Sequence, residues 1–362
     1  MKIGMLVAAV TLVAQTSVPR LPPAGPRNPS GPSVQAPQDP EYAALVATCK
    51  TPPATPGGRG PAGARGGARG VPPPQGIRDY AVADIRGVIA AGSKWTFVWQ
   101  QAGNNGDGIV GTDDGGLLLA QNDSSNVVKL DKNGTPSIAY SGTHTGGALS
   151  INSQGDLFIV ERGLHMMIEQ LAPRRRRLAN SYQNEPFDCV GSVINDLTAD
   201  SRGGVYFTLG GLFHADANGV VARYGENLLT NGVILSPDER TLYVTNGATL
   251  AAFDVQPDGS LTNQREFAKL VSGGGDGSTI DSEGRIYVTT GGGVEVIGRD
   301  GTHLGVIPTP RGVISCAFGG NDKKTLFVLA RGAQDAEGNE VANAAQVWSI
   351  QMIAQGYKGR PK

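Results

Sequence analysis

Six residues stand ten or eleven positions before six short apolar segments of this 362-residue chain. They are Asp107, Gly147, Asn195, Asn231, Asp276 and Ser315. Four of them carry carboxylate or carboxamide oxygens, and none is His or Cys. Such hard oxygen donors favour Ca²⁺, with Mg²⁺, Mn²⁺ and Zn²⁺ as alternatives. We therefore predict one divalent cation. Its predicted ligands are Asp107, Asn195, Asn231 and Asp276.

The apolar segments that follow these residues recur every 37 to 48 residues, which is the blade length of a β-propeller. They begin at Leu117, Leu157, Val205, Leu242, Ile286 and Leu326. Polar turns rich in Gly, Asn and Asp precede them, and their hydrophobic period is two, as in antiparallel strands. The sequence therefore predicts an all-β, six-bladed β-propeller over residues 79–352. Equivalent positions in stacked blades share one end of the central channel, which would bring the six residues together.

Simple turn formation is the alternative explanation, because Asp-Gly and Asn-Gly pairs are also common in tight turns. Asp107, Asn231 and Asp276 each precede a glycine. Recurrence at one register of the repeat favours a shared site over isolated turns.

Three further residues are candidates for substrate contact at the same end of the channel. His144 precedes the empty second-blade position, Glu161 follows the second apolar segment, and Ser315 offers a hydroxyl in the last blade. His144 is also compatible with an ordinary loop position. Glu161 is also compatible with a salt bridge to Arg162 or with a solvated site.

Four segments of the chain resemble the gluconolactonase, regucalcin (senescence marker protein) and luciferin-regenerating-enzyme family. Residues 194–208 (INDLTADSRGGVYFT) are similar to the Asn-Asp signature of that family. Residues 231–245, 276–288 and 315–320 resemble its later blades. The resemblance covers roughly residues 104–335. It implies a six-bladed propeller with one catalytic divalent metal in the channel and, in most members, lactone hydrolysis.

The resemblance also implies individual roles. Asp276 would be a metal ligand and the general base, Asn231 a ligand, and Asn195 a ligand or substrate contact. Asp107 stands where the family generally has Glu, so it must reach the metal from a closer loop or through water. Val193 stands where some sugar lactonases carry Arg, which weakens the case for sugar-acid specificity.

Composition and the terminal segments limit the class of protein. With 31 basic and 32 acidic residues, the chain lacks the excess of positive charge that binds nucleic acid or an anionic membrane. Residues 1–17 have the layout of a signal peptide, which predicts a periplasmic or secreted protein. The Pro-, Gly- and Arg-rich residues 18–78 are predicted to form a disordered linker with a short helical island at 41–48, and 353–362 a C-terminal tail. The expected partner is a small-molecule substrate. Oligomeric state stays open.

The chain has three cysteines, so at least one is unpaired. Cys316 lies in an apolar strand and is predicted to be buried. Cys49 and Cys189 lie in irregular segments, and a disulfide between them would pin the linker to the propeller in an oxidising compartment.

Two classes of function are compatible with these patterns. The first is an exported, metal-dependent hydrolase that opens a lactone or a similar cyclic ester. The second is a non-catalytic, Ca²⁺-stabilised propeller that binds a ligand or a protein. Propellers host both, so the fold does not decide between them.

Overall fold

The computed structural model describes residues 35–53, 78–102, 105–334 and 340–360. These residues form one short α-helix, α1 (Tyr42–Val46), two 3₁₀ turns (Ala36–Gln38 and Phe187–Val190) and 26 strands. Residues 1–17, to which the signal-peptide prediction refers, lie outside the described part of the chain. No helix within that part is long and apolar enough to cross a bilayer.

The strands assemble into six four-stranded antiparallel sheets, which are the blades of a six-bladed β-propeller. Blade 1 contains β2 (Gly106–Gly111), β3 (Leu117–Gln121), β4 (Asn126–Leu130) and β5 (Pro136–Ser141). Blade 2 contains β6 (Gly146–Ile151), β7 (Leu157–Glu161), β8 (Met167–Ala172) and β9 (Arg176–Ala179). A small hairpin, β10 (Ser181–Tyr182) and β11 (Glu185–Pro186), follows blade 2. The predicted fold class is confirmed.

The remaining blades repeat this order. Blade 3 contains β12 (Leu197–Ala199), β13 (Val205–Thr208), β14 (Leu212–Ala215) and β15 (Val221–Tyr224). Blade 4 contains β16 (Thr230–Leu235), β17 (Thr241–Asn246), β18 (Thr249–Val255) and β19 (Leu261–Lys269). Blade 5 contains β20 (Ser278–Ile280), β21 (Ile286–Thr290), β22 (Gly293–Ile297) and β23 (His303–Pro308). Each apolar segment predicted from the repeat is the second strand of its blade.

Blade 6 closes the ring with strands from both ends of the propeller. It contains β24 (Val313–Gly319), β25 (Thr325–Gln334), β26 (Glu340–Gln351) and β1 (Thr96–Ala102). Strand β1 pairs with β26, placing Thr96 opposite Ser349. This pairing joins the first and the last strand of the propeller in one sheet.

The core lies between neighbouring blades, because one sheet cannot bury both of its faces alone. Between blades 2 and 3, for example, Phe158, Phe207 and Phe213 are completely buried in one cluster. Phe207 stacks on Phe213 with ring centroids 5.4 Å apart. This packing holds the first strand of each blade, which lines the channel, at a fixed height.

Residues 35–53 are ordered within the predicted linker of residues 18–78, and the helical island expected at 41–48 is present as α1. The segment contains α1, and its Tyr42 packs into the cluster between blades 2 and 3. The Cys49–Cys189 disulfide is present, and Cys316 is a buried thiol outside it. The amide N–H of Ala36 donates to the carbonyl of Arg162 at 2.7 Å. Apolar residues within this Pro-rich tract bury enough surface to order it.

The C-terminal tail packs against blades 3 to 5. Gly356 forms a β-bridge with Asp281, and the Tyr357 amide N–H donates to the carbonyl of Ile280. Arg360 is almost fully buried at 2% exposure. Its guanidinium donates to Thr198 Oγ1 at 3.0 Å and to the carbonyls of Leu235 and Ser236 at 2.9 and 2.8 Å. The tail thus contacts the first strands of three neighbouring blades, β12, β16 and β20.

Candidate active site

Irregular strand pairing aims the predicted site residues toward the channel axis. The pairing of β2 with β3 shifts between Gly106 and Ile109, which places Asp107 and Gly108 in a β-bulge. The pairing of β16 with β17 shifts in the same way around Asn231 and Gly232. A bulge re-aims side chains at the end of a strand, so a polar residue here leaves the sheet face and points into the channel.

The predicted residues come together in one small cleft at the opposite end of the channel from Arg360. Its lining residues are Asp107, Gly108, Ala148, Asn195, Asp196, Asn231, Asp276, Gly277, Ile314 and Ser315. Its volume is about 20 Å³, enough for one water molecule or ion. All four predicted ligands therefore line one cleft, and Ser315 lines it too.

The last blade departs from the predicted register by one residue. The bulge between β24 and β25 lies at Ile314, so Ile314 occupies the position that Asp107 has in blade 1. Ser315 corresponds to Gly108. Counting backward from the second strand missed this shift because the connection from Phe318 to its partner Leu326 is two residues longer than the equivalent connection from Gly111 to Leu117 in blade 1. The blade 6 contribution to the cleft is therefore an apolar side chain and a neighbouring hydroxyl.

Arg162 fills the space left by the glycine of blade 2, and sequence reasoning missed it. A Cβ built at Gly147 would lie 2.6 Å from Arg162 Nε, so the guanidinium lies directly against Gly147. Arg162 is buried at 6% exposure and forms an ion pair with Asp107. Burial lowers its pKa to about 10, against the opposing charges of Asp276 and Asp196, so it stays protonated at neutral pH. The sequence signal was a small residue in blade 2 beside an arginine at the end of β7.

A continuous set of hydrogen bonds joins Arg162 to three of the predicted ligands. Its Nε donates to the carbonyl of Ile194 at 3.0 Å, and its Nη2 to the carbonyl and side-chain oxygens of Asn195 at 2.9 and 2.5 Å. The Asn195 amide donates to Asn231 Oδ1, and Asn231 bonds in turn to the Asp276 carboxylate. The site is thus held in one arrangement before any ligand binds.

Asp276 has the properties of a proton acceptor. Burial raises its pKa to about 6, and the neighbouring Asp196 adds to that effect. The positive charges of Arg331 and Arg162 and the hydrogen bond from Asn231 oppose it. A carboxyl group whose pKa lies near neutrality is better matched to general-base catalysis than an ordinary Asp.

Asp196 is a further carboxylate in the cleft lining, and the sequence analysis treated it only as part of the Asn-Asp signature. Its Oδ2 accepts the amide N–H of Val233 at 2.8 Å and its Oδ1 that of Leu197 at 2.9 Å. These bonds tie blade 3 to the bulge of blade 4. Asp196 therefore helps to hold Asn231 in place.

His144 and Glu161 lie beside the cleft and not in its lining. His144 Nδ1 lies 2.8 Å from Glu161 Oε2, and Glu161 is buried at 1% exposure. Burial raises the pKa of Glu161 to about 7, and the nearby Glu169 adds to this while His144 opposes it. Glu161 does not pair with Arg162, because adjacent strand residues point to opposite faces. The structure does not place either side chain against the cleft.

The oxygen donors fit the chemistry of a hard divalent cation. Two carboxylates and two amides converge, and such oxygens suit Ca²⁺. Within the described residues no group of three His, Cys, Asp or Glu could hold a metal, so amide oxygens would have to complete the coordination. Arg162 is bonded to Asp107 and to the Asn195 oxygen in this arrangement. Asn231 and Asp276 are thus the two of the four donors that do not form a hydrogen bond or ion pair with Arg162.

Comparison with known families decides the classification. The sequence model of the SMP-30/Gluconolactonase/LRE-like region matches residues 137–331, more than half of the chain. The protein belongs to the SMP-30/gluconolactonase/LRE-like family. The matched residues include three of the cleft's polar side chains, Asn195, Asn231 and Asp276, while Asp107 lies before them. The resemblance expected from the sequence is confirmed.

Curated relatives of this SMP-30/gluconolactonase/LRE-like protein include enzymes named for lactone substrates. A gluconolactonase from Zymomonas mobilis is 27% identical over 217 residues, covering 50% of this chain and 60% of that protein. Lactonohydrolase oryH from Aspergillus oryzae is 31% identical over 130 residues, 28% of each chain. The chain thus spans about 60% or less of the length of these two relatives.

Solved structures of the family share the fold. A gluconolactonase from Xanthomonas campestris superposes with a TM-score of 0.63 at 21% identity, covering 78% of this chain and 99% of that one. A calcium-binding regucalcin from Agrobacterium tumefaciens gives 0.56 at 20% identity, over 72% and 95% of the two chains. At these identities the similarity establishes the propeller alone.

Proposed function

We propose that this SMP-30/gluconolactonase/LRE-like protein hydrolyses a lactone or a similar cyclic ester. The observation that carries the proposal is the convergence of two carboxylates and two amides in one cleft. The names of the curated relatives support the same class of substrate.

The proposed reaction is an addition of water followed by ring opening. Asp276 accepts a proton as the water oxygen attacks the lactone carbonyl carbon. The bond from that carbon to the ring oxygen then breaks, and Asp276 returns the proton to the leaving alkoxide. The products are a hydroxyl and a carboxylic acid, which releases a proton near neutral pH. Asn195 and Asn231 fix the positions of Asp276 and of the substrate relative to each other.

We also propose that the reaction needs one divalent cation, Ca²⁺ being the best match to the donors. Asn231 and Asp276 would hold it, joined by Asn195 and by Asp107, which is one methylene shorter than the usual Glu. A cation there would polarise the carbonyl and stabilise the negative charge that develops on its oxygen. The bond from Arg162 holds Asp107 back, so Asp107 is the ligand that contributes least.

Proton release from a panel of γ- and δ-lactones, with and without a chelator, tests the proposal. We expect chelator-sensitive turnover, and Asp276→Asn should lower kcat/KM by roughly 10²- to 10⁴-fold, the usual contribution of a general base. Asp300→Asn is the matched control, because Asp300 is an exposed residue of the turn between β22 and β23. It should retain full activity.

Two results would contradict the proposal. Undiminished activity of Asp276→Asn would show that Asp276 is not the general base. Turnover that a chelator does not affect would show that the reaction needs no cation. Retention of Ca²⁺ without hydrolysis of any lactone would instead favour the alternative, a Ca²⁺-stabilised binding module.

We further propose that the protein is exported to the periplasm or the medium. The Cys49–Cys189 disulfide supports this, because structural disulfides persist mainly in oxidising compartments. Cell fractionation of the full-length chain tests it. Accumulation of the protein in the cytosol with residues 1–17 intact would contradict export.

A further inference from the structure

The rim of the cleft has one residue from each blade at an equivalent position, five residues after the first residue of each apolar segment. These rim residues are Asn122, Arg162, Gly210, Gly247, Gly291 and Arg331. In four blades the rim amide N–H donates to a carbonyl just before the site position: Asn122 to Asn105, Arg162 to Thr145, Gly247 to Leu229 and Arg331 to Gly312, at 2.9 to 3.3 Å. The rim is therefore glycine on blades 3 to 5 and polar on blades 6, 1 and 2.

The three polar rim residues differ in what their side chains contact. Asn122 is buried, and its amide donates to the carbonyl of Gly146 at 2.7 Å. Arg162 is buried and bonded to Asp107, Ile194 and Asn195. Arg331 is exposed, and no carboxylate of the described residues lies within 4 Å of its guanidinium. Of the two rim arginines, only Arg331 presents its charge to solvent.

Arg331 is nevertheless close to the reacting groups. It continues β25 beyond Ala330, which pairs with Val313 next to the cleft residues Ile314 and Ser315. It is the strongest of the positive charges that act on Asp276. Backbone pairing with Ala345 in β26 fixes its position at the rim.

The negative charge inside the cleft favours binding of an anion at Arg331 over binding of an anion within the cleft. Asp107, Asp196 and Asp276 contribute three carboxylates against the single guanidinium of Arg162. An anionic group would be repelled from the floor of the cleft and attracted to the rim at blade 6. Blades 3 to 5 have glycine at the rim position, and at blade 5 the Arg78 guanidinium donates to the carbonyl of Gly291 at 3.1 Å. The uncharged part of a substrate therefore has most space at the rim of blades 3 and 4.

We propose that Arg331 is a specificity-determining residue that binds a carboxylate substituent of the substrate, so that the preferred substrate is a lactone carrying a carboxylate away from the carbonyl under attack. The proposal rests on the proposed lactone hydrolysis. A planar guanidinium binds a carboxylate through two parallel hydrogen bonds, which fixes orientation as well as charge. The same pairing would orient the lactone carbonyl toward Asp276.

The test compares two matched substrates and three proteins. The substrates are 5-oxotetrahydrofuran-2-carboxylate and its neutral primary amide. For the wild type we expect a lower KM for the carboxylate. Arg331→Gln should raise that KM roughly 10- to 100-fold, the range for loss of a charged hydrogen bond, and leave the KM of the amide unchanged. Any effect of the lost charge on Asp276 should change kcat for both substrates alike. Arg331→Lys should recover part of the difference. Arg299→Gln, an exposed arginine in the turn between β22 and β23, is the control and should change neither.

Equal effects of Arg331→Gln on both substrates would overturn the proposal, because they would show that Arg331 acts only through Asp276. An effect confined to inhibition by the ring-opened product would also overturn it. NMR titration with cyclopentanecarboxylate and cyclopentanecarboxamide, which contain no ester, separates this proposal from the hydrolase proposal. Binding of the carboxylate that requires Arg331 would support the subsite even if no lactone were hydrolysed. Equal binding of the two compounds would contradict it.

Discussion

The guanidinium of Arg162 occupies the place of a side chain at Gly147. A Cβ at Gly147 would lie 2.6 Å from Nε and 2.7 Å from Cζ of Arg162. The two residues therefore form one unit, in which the missing side chain of blade 2 makes room for a cation that belongs to the same blade. Through this cation Asp107 and Asn195, on blades 1 and 3, are held by a residue that lies between them.

Gly147→Ala tests this relationship. The added methyl group would push the guanidinium away, and Asp107 and Asn195 would lose a shared partner. We expect kcat/KM to fall by roughly 100-fold, since small misplacements of catalytic groups have effects of that order. Lactone hydrolysis and the melting temperature measure the effect. Gly274→Ala is the steric control, because its new Cβ would meet only ordinary contacts at 3.5 Å or more. Equal activity in the two variants would disprove the coupling.

Cation binding should stabilise the folded protein, because the oxygens of Asn231 and Asp276 converge only in the folded state. At a Ca²⁺ concentration 100 times the Kd, we expect about 2.7 kcal/mol of added stability, measured as a rise in Tm. Asn231→Ala should abolish the rise. Asn133→Ala, at an exposed turn position in blade 1, should keep it. An identical rise in both variants would place the cation elsewhere.

Counting thiols tests the disulfide. The native protein should show no reactive thiol, because Cys316 is buried and the other two cysteines are bonded. Denaturation without reductant should expose one thiol, and denaturation after reduction three. Cys49→Ser with Cys189→Ser should release residues 35–53 to proteolysis, since the disulfide and α1 hold them. Three thiols in the denatured protein before reduction would contradict the bond.

Asp200 should stabilise the fold in a pH-dependent way. Burial raises its pKa, but the hydrogen bond to His214 and the charge of Arg202 outweigh this and lower the pKa to about 2. An unfolded Asp titrates near pH 4, so the stabilisation is complete above about pH 4 and is lost as the pH falls through 2. A shift of roughly two pKa units corresponds to about 2.7 kcal/mol.

Asp200→Asn should therefore lower the free energy of unfolding by an amount of that order at pH 7 and by less near pH 2. Urea denaturation at both pH values measures this. Glu266→Gln, at an exposed position on β19, should have little effect at either pH. A pH-independent loss in Asp200→Asn would show that packing, and not charge, is responsible.

The repeat made most of the fold predictable. The spacing of the apolar segments predicted six blades, and the structure contains six. Because equivalent positions converge by symmetry, Asp107, Asn195, Asn231 and Asp276 could be placed at one end of the channel without any coordinates. Their chemical roles stay predictions.

Features that break the repeat were not predictable. Ile314 holds the position that was assigned to Ser315, because counting at a fixed spacing does not detect the longer connection between the first two strands of blade 6. Arg162 lies outside the register that was counted backward from each second strand. Counting forward would have shown that it holds the same position in blade 2 as Arg331 in blade 6. Arg360 lies in the C-terminal tail and belongs to no blade. Its burial depends on the path of the tail, which the repeat does not describe.

Closure of the ring through β1 and β26 has a consequence for folding kinetics. Thr96 and Ser349 are more than 250 residues apart in sequence, yet they are paired in one sheet. Closing so long a loop is entropically costly, and folds dominated by distant contacts form slowly. During synthesis the first five blades are made before β26, so β1 has no strand to pair with until β26 has been made. The sixth blade is thus the last to form, and it brings Ser315 and Arg331 to the site in the same step.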